Sequence, residues 1–393
     1  MASPFTRSSV AGGSDLDPEA VHRFVEELVG ENLHAKRVFS LARGVLGVLH
    51  TASLAIHTIG EALAATMDLS PKHATKQVDR LLSNRGLDLS VILPLWIKFA
   101  LGARTEAVVA MDWTDFDADG HTTLVLSLIT THGRATPLLW KTVLKKELKS
   151  RRNGYEDELL ERLREAVPET VRVTILADRG FGDQKLYEYL RTLKFDFVIR
   201  FKGNVLVTSA TGKSQNAEQW LHPDGRLQTL KQARVTADQT DVARVVIVRA
   251  ANMKEAWYLA SSREDLSGAE IKRLYGRRFT IEETFRDTKD LHFGLGLSST
   301  HIKDPSRRDR MLLLVALAEA LLTLLGAAGE SVGLDKLFKA NTVAKRTHSL
   351  FRQGSYWFRA IPAMREERLL LLMTAFGKLL SEHELFAEIY GVI

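Results

Sequence analysis

The chain has 393 residues, of which 45% are hydrophobic and 26% charged, a composition that suits a large globular protein of two or three structural units. It contains no cysteine, which excludes disulfides, thiol catalysis and thiolate zinc sites and points to a reducing compartment. The net charge of +6 is consistent with a polyanionic partner.

The opening MASPFTRSSVAGGS lacks the basic and apolar regions of a signal peptide, and residues 1–16 read as a disordered terminus. Residues 17–103 read as helices throughout. The fourth begins at Ser70-Pro71, an N-cap followed by proline in the first turn, and runs through KHATKQVDRLLSN. A short helix, a turn around Met67-Asp68-Leu69-Ser70 and this helix form a helix-turn-helix pattern. Lys72, Lys76 and Arg80 on the second helix, with Arg85 beyond it, suit phosphates and base edges. An ordinary helical bundle with a polar surface fits the same residues.

From about residue 104 the pattern turns to strands. AVVAMDW carries Asp112, TTLVLSLITT follows, and a turn at HGR leads into ATPLLWKTVL. A helix, GYEDELLERLREAV, precedes VRVTILAD with Asp178 at its end, and the helix QKLYEYLRTL and the strand FDFVIRFK complete the unit. Residues 203–262, rich in Val, Thr and Gly, read as a β-rich insertion. From 300 onward helices return over RDRMLLLVALAEALLTLL, GLDKLFKANTVAKRTHSLFRQG and REERLLLLMTAFGKLLSEHELFAEIYG. The apolar MLLLVALAEALLTLLGAAG carries Glu319 and suits a buried core helix better than a membrane span. Leu369, Leu372, Met373, Phe376 and Leu380 line one side of the last segment, a surface for a second copy or for its own domain. Two basic clusters, Lys141 to Arg152 and Arg307, Arg308 and Arg310, fit either DNA or a solvated face.

The stretch LYGRRFTIEETFRDTKD, residues 274–290, has no proline, and its apolar residues recur at helical intervals. It predicts one amphipathic helix. On such a helix Tyr275, Arg278, Glu282 and Lys289 fall within an arc of roughly 60°. A carboxylate beside two cations and a phenol suits a metal-bound phosphate: the acid holds a hard ion, and the other groups hold phosphate oxygens.

The spacing Tyr-x2-Arg-x3-Glu-x6-Lys, together with VVAMDWTD and VTILADRGFG in the same order, resembles bacterial cut-and-paste insertion-sequence transposases of the DDE class. The resemblance implies an α/β, ribonuclease-H-like mixed-sheet catalytic domain over 104–202 and 263–330. It also implies a β-rich insertion at 203–262, a DNA-binding unit at 17–103 and a C-terminal helical region at 331–393. Asp112, Asp178 and Glu282 would then be catalytic and hold two Mg2+ ions, with Mn2+ able to substitute; Asp112 would bridge both ions. Tyr275, Arg278 and Lys289 would bind DNA phosphates. Some members pass through a hairpin on the transposon end, and Trp257 in EAWYLAS is placed to stack on the displaced base. The expected partners are double-stranded DNA, both terminal inverted repeats and target, and a second protomer in the synaptic complex. The expected setting is the bacterial cytoplasm, at the nucleoid, with no membrane. A ribonuclease-H-like nuclease or resolvase shares the same metals, and a domesticated DNA-binding protein would need only the helix-turn-helix and the basic clusters.

Overall fold

The computed structural model describes residues 16, 18–51, 53–251, 253–290, 294–340 and 342–381. The chain opens with five helices: α1 (Pro18–Val29), α2 (Ala35–Thr51), α3 (Ile56–Met67), α4 (Pro71–Ser83) and α5 (Leu89–Leu101). Asp68, in the left-handed region at φ 50°, ends α3 and turns the chain into α4. The two helices approach so closely at Gly60 that a Cβ there would meet the Thr75 Cα at 2.5 Å, so glycine is required. A short helix, a turn at Asp68 and a following helix thus lie where the sequence placed them. Helix α5 is apolar along most of its length and packs on the sheet, where the Trp96 indole N–H donates to the Pro137 carbonyl at 2.7 Å.

The sheet begins with β1 (Glu106–Phe116), β2 (His121–Ile129) and β3 (Ala135–Leu144), an antiparallel run. After α6 (Arg152–Ala166), β4 (Arg172–Ala177) pairs parallel with β1, and after α7 (Gln184–Thr192), β5 (Asp196–Arg200) pairs parallel with β4. Every residue of β2 is buried, as expected of a strand covered on both faces; its second half is mostly apolar, whereas His121, Thr122, Thr123 and Ser127 are buried polar residues. The expected β-rich insertion is present as β6 (Leu206–Thr208), β7 (Ser214–Asn216), β8 (Gln228–Val235), β9 (Thr240–Val248) and β10 (Trp257–Ser261). It does not stand apart: β10 pairs antiparallel with β5, giving one ten-stranded sheet in the order β3-β2-β1-β4-β5-β10-β9-β8-β6-β7. This is a mixed α/β, ribonuclease-H-like architecture with helical flanks.

Several sequence expectations need correction. The single helix predicted over 274–290 is two, α8 (Gly268–Gly276) and α9 (Thr280–Lys289), joined by a 3-10 turn at Arg277–Phe279. Gly276 weakens the helix at the junction, and three residues per turn instead of 3.6 shift the faces of the two segments against one another. Among the described residues, the stretch from 333 to 354 is helical only at its ends, in a short 3-10 turn at Leu334–Phe338 and in α11 (Leu350–Ala360). Its middle, ANTVAKRTHS, is short of apolar residues to bury.

Helix α10 (Pro305–Ser331) is long and apolar enough to cross a membrane, yet 89% of its most apolar stretch is buried inside the protein. It packs against β3, α2, α11 and α12 (Glu366–Ser381). Leu372, Met373 and Phe376 of α12 are buried and Leu369 and Leu380 partly so, so of the two readings of that apolar side, packing on its own domain accounts for these residues. Leu370 and Leu371 are the exposed leucines of that helix. The expectations for residues 1–15 and for the helix beyond 381 lie outside the described residues.

The Arg307, Arg308 and Arg310 cluster is an internal fastening. Arg308 is fully buried and bonds Asp119 and His121. Arg307 pairs with Asp79 at 2.7 Å, and Arg310 donates to the Leu82 and Leu87 carbonyls at the end of α4.

Candidate active site

Strands β1 and β4 lie side by side in parallel with Met111 opposite Ala177, so Asp112 and Asp178 are the next pair up. Asp112 stands within β1, its Oδ1 accepting the Trp113 backbone N–H at 2.9 Å. Asp178 follows the last residue of β4 and caps a 3-10 turn, accepting the Gly180 N–H at 2.7 Å. Glu282 arrives from α9, and its neighbour Glu283 turns away to pair with Arg286.

The group that joins strand to helix is Arg278. Its Nη1 donates to Asp112 Oδ2 at 3.0 Å and its Nη2 to Glu282 Oε1 at 2.7 Å. Arg278 is 5% exposed, whereas the Glu282 side chain is 51% exposed. Burial pushes the Asp112 carboxyl up to about 6; Arg278 opposes the rise, and the nearby Asp178 and Glu282 charges add to it. The same two carboxylates, with Tyr275 and Asp112, hold the Arg278 guanidinium above its ordinary value against the effect of its burial.

Of the remaining predicted residues, Tyr275 is 1% exposed, and its hydroxyl, like Arg278 Nε, is a buried donor with no acceptor among the described residues. Lys289 reaches β1 rather than the carboxylates. Its Nζ donates to the Asp115 carbonyl at 2.6 Å and to Thr114 Oγ1 at 3.2 Å, and burial lowers its pKa. Trp257, first residue of β10, packs edge-on against Tyr275 at 5.0 Å between centroids and stacks on Phe279 at 5.9 Å. Lys72, Lys76 and Arg80 are exposed along one side of α4, away from this cluster. Asp183 caps α7, and Asp115 and Asp117 pair with Lys145.

Sequence reasoning missed Phe279, an exposed aromatic in the turn between the two helices, because it assumed an unbroken helix there. It also passed over Arg200 and Glu255. Arg200 and Arg179 meet at Glu255, at 2.7 and 3.0 Å, on the Trp257 side of the site. No spacing within a single segment marks that meeting.

The donors are all hard carboxylate oxygens, and Asp112 feels the charges of both Asp178 and Glu282 on top of its burial, a set that fits a divalent cation such as magnesium. Among the described residues no three His, Asp or Glu side chains are gathered tightly enough to cage an ion. Arg278 spans Asp112 and Glu282 instead, and the half-exposed Glu282 is the partner able to let go.

No curated protein matches the chain. The family model described as transposase DDE domain matches residues 104–319, from the start of β1 to the middle of α10. That span is more than half of the chain and takes in both aspartates, the whole insertion and α9. The chain belongs to the DDE transposase family.

Proposed function

We propose that this transposase cuts transposon-end DNA in a divalent-metal-dependent reaction and joins the end to target DNA, through a hairpin intermediate. The observation that carries this reading is the Asp112–Arg278–Glu282 bridge beside Asp178, since it brings acids far apart in sequence onto one guanidinium. Asp112, Asp178 and Glu282 would hold the ions. When bound, such ions supply a charge sink for the attacking and leaving oxygens of the phosphodiester.

The chain's own residues do the rest. Displaced from the carboxylates, Arg278 turns its fork to a phosphate, and the buried hydroxyl of Tyr275 and Nε of Arg278 gain the acceptors they lack. Lys289, held at the end of β1, adds a fixed positive charge. Trp257, with Phe279 stacked on it, offers an aromatic surface for a base drawn out of the duplex. Lys72, Lys76 and Arg80 on α4 bind the terminal repeat. Each end is held while the other is processed, which calls for two protomers. The setting is the bacterial cytoplasm, where the DNA lies.

The test is incubation of the full chain with Mg2+ and DNA carrying the inverted repeats that flank its coding region, beside Asp112→Ala and Trp257→Ala. Wild type should give cut ends, hairpins and joined product. Asp112→Ala should give none, and Trp257→Ala should nick but form few hairpins. Cleavage without any joined product would make the chain a nuclease, and equal product from wild type and Asp112→Ala would overturn the proposal.

A further inference from the structure

Beside the carboxylates, on the side away from Trp257, stands an arginine that the bridge does not use. Arg152 is the first residue of α6, and α6 starts where β3 and its connection deliver the chain to the catalytic end of the sheet. Its guanidinium lies over two rings, 5.6 Å from the centroid of Trp113 and 5.3 Å from that of Phe181. Trp113 follows Asp112 and Phe181 stands three residues after Asp178, so both rings come from the segments that carry the acids. Glu156, one turn along α6, fixes the group further. Its Oε1 accepts Arg152 Nε at 2.9 Å and the Trp113 indole N–H at 2.8 Å.

The closeness to the acids can be stated at one point. A methyl placed on Gly180 would lie 3.0 Å from Asp178 Oδ1 and 3.7 Å from Arg152 Nη2. Arg152 is nevertheless not the counter-ion of Asp178, for the two are not paired.

What distinguishes Arg152 from its neighbours is where its donors go. Arg278 gives both Nη atoms to Asp112 and Glu282, and Arg179 and Arg200 meet at Glu255. Arg152 gives only Nε to Glu156, and among the described residues its two Nη atoms have no hydrogen-bond acceptor. A guanidinium locked by two rings and a carboxylate, 44% exposed on its side chain, with its outer edge open, has lost most of its rotamer freedom before any ligand arrives. Two parallel N–H donors are the geometry that a non-bridging phosphate pair accepts. Lys146, Lys149 and Arg151 continue an exposed basic strip from the same rim.

We propose that Arg152 binds a backbone phosphate of the DNA strand lying beside Asp178, and that Glu156, Trp113 and Phe181 position it to do so. The proposal rests on the transposase reading above and adds a contact on the opposite rim from Trp257, so that the strand is held on both sides of the acids.

The experiment measures binding of fluorescein-labelled duplex carrying the terminal repeat, in EDTA, across a salt series. It uses the full chain as wild type, Arg152→Gln, Arg152→Lys and, as a control of equal charge change, the exposed Arg368→Gln of α12. Arg152→Gln should bind about tenfold more weakly at low salt and lower the slope of log K against log salt by about 0.9. Arg368→Gln should change neither. Arg152→Lys should keep the wild-type slope with an intermediate affinity, because the charge remains and the fork is lost. Replacing single phosphates by neutral methylphosphonates should reveal one linkage near the cut whose neutralisation weakens wild type and leaves Arg152→Gln unaffected. Wild-type affinity and slope in both Arg152 variants would overturn the contact while leaving cleavage by wild type intact. A wild type that neither binds nor cuts the repeat would overturn the transposase-end reading, and this contact with it.

Discussion

Tyr275 carries a hydroxyl that the fold buries without an acceptor, a cost of about 1–3 kcal/mol to the folded chain. Burial also pushes its pKa up, so the phenol is held as a neutral donor. Such an arrangement is retained where a ligand repays it, and on the proposed reading that ligand is a phosphate oxygen. Tyr275→Phe keeps the ring against Trp257 and removes only the hydroxyl. Urea unfolding should therefore show the variant more stable than wild type by about 1 kcal/mol, while its affinity for terminal-repeat DNA falls. A loss of stability, or unchanged affinity, would mean that the hydroxyl has a partner other than DNA.

At the scale of elements, α9, which carries Glu282, is fastened to the edge strand β3 from behind. Thr284 Oγ1 accepts the Ala135 N–H at 3.0 Å and donates to the Ala135 carbonyl at 2.9 Å, and Arg134 pairs with Asp287. Replacing Thr284 by Val leaves both backbone groups of Ala135 without these bonds, and unfolding should become easier by about 1–3 kcal/mol. Glu319 of α10 lies against the same cluster, near the buried His132, whose pKa burial lowers to about 3. Burial raises the Glu319 carboxyl from its ordinary 4.5 to about 8; Asp287 adds to the rise, and Thr288 and Arg134 oppose it. In that window the native state holds a proton that the unfolded chain has released. The stability Glu319 contributes is complete below its unfolded pKa and is lost as pH rises through about 8, at up to about 1.4 kcal/mol per pH unit. Glu319→Gln, neutral throughout, should remove this slope, so its advantage over wild type in urea should grow from pH 5 to 8. An advantage that does not vary with pH would show that the carboxyl is not protonated in the native state.

Much of this scaffold was legible in the sequence. The short apolar runs in AVVAMDW and VRVTILAD gave β1 and β4, and Ser70-Pro71 gave the start of α4. The break between α8 and α9 was missed, because the apolar spacing across Ile271, Leu274, Ile281 and Phe285 fits a continuous helix and outweighed Gly276, the one local signal of a weak point. The triad's acids were likewise visible, but not their link through Arg278, nor the β5–β10 pairing that brings Trp257 beside Tyr275. Those depend on contacts between segments rather than on any one segment. The Arg307 to Arg310 cluster was ambiguous for the same reason, since charge alone does not distinguish a DNA contact from an internal clamp.

Over the whole molecule, α10 ties α4 to α9. Near its start, Arg307 and Arg310 grip the end of α4. Near its middle, Glu319 accepts the Thr288 hydroxyl of α9 at 3.3 Å. The α4 face that carries Lys72, Lys76 and Arg80 is thus exposed on a helix whose other side, with Ala74, Val78, Leu81 and Leu82 buried, packs on α3, α2 and α10. Replacing the three basic residues together by Ala should leave the melting temperature near wild type, since none of them is buried. It should lower the salt slope of repeat binding by about 2 to 3, one phosphate contact per cation. On the proposed reading these residues hold the end rather than perform the reaction, so cleavage at saturating DNA should stay close to wild type while the DNA concentration needed for half-maximal rate rises. A wild-type slope in the triple variant would move the repeat-binding surface away from α4, and a collapse of cleavage at saturating DNA would mean that α4 orders the catalytic unit as well as gripping the end.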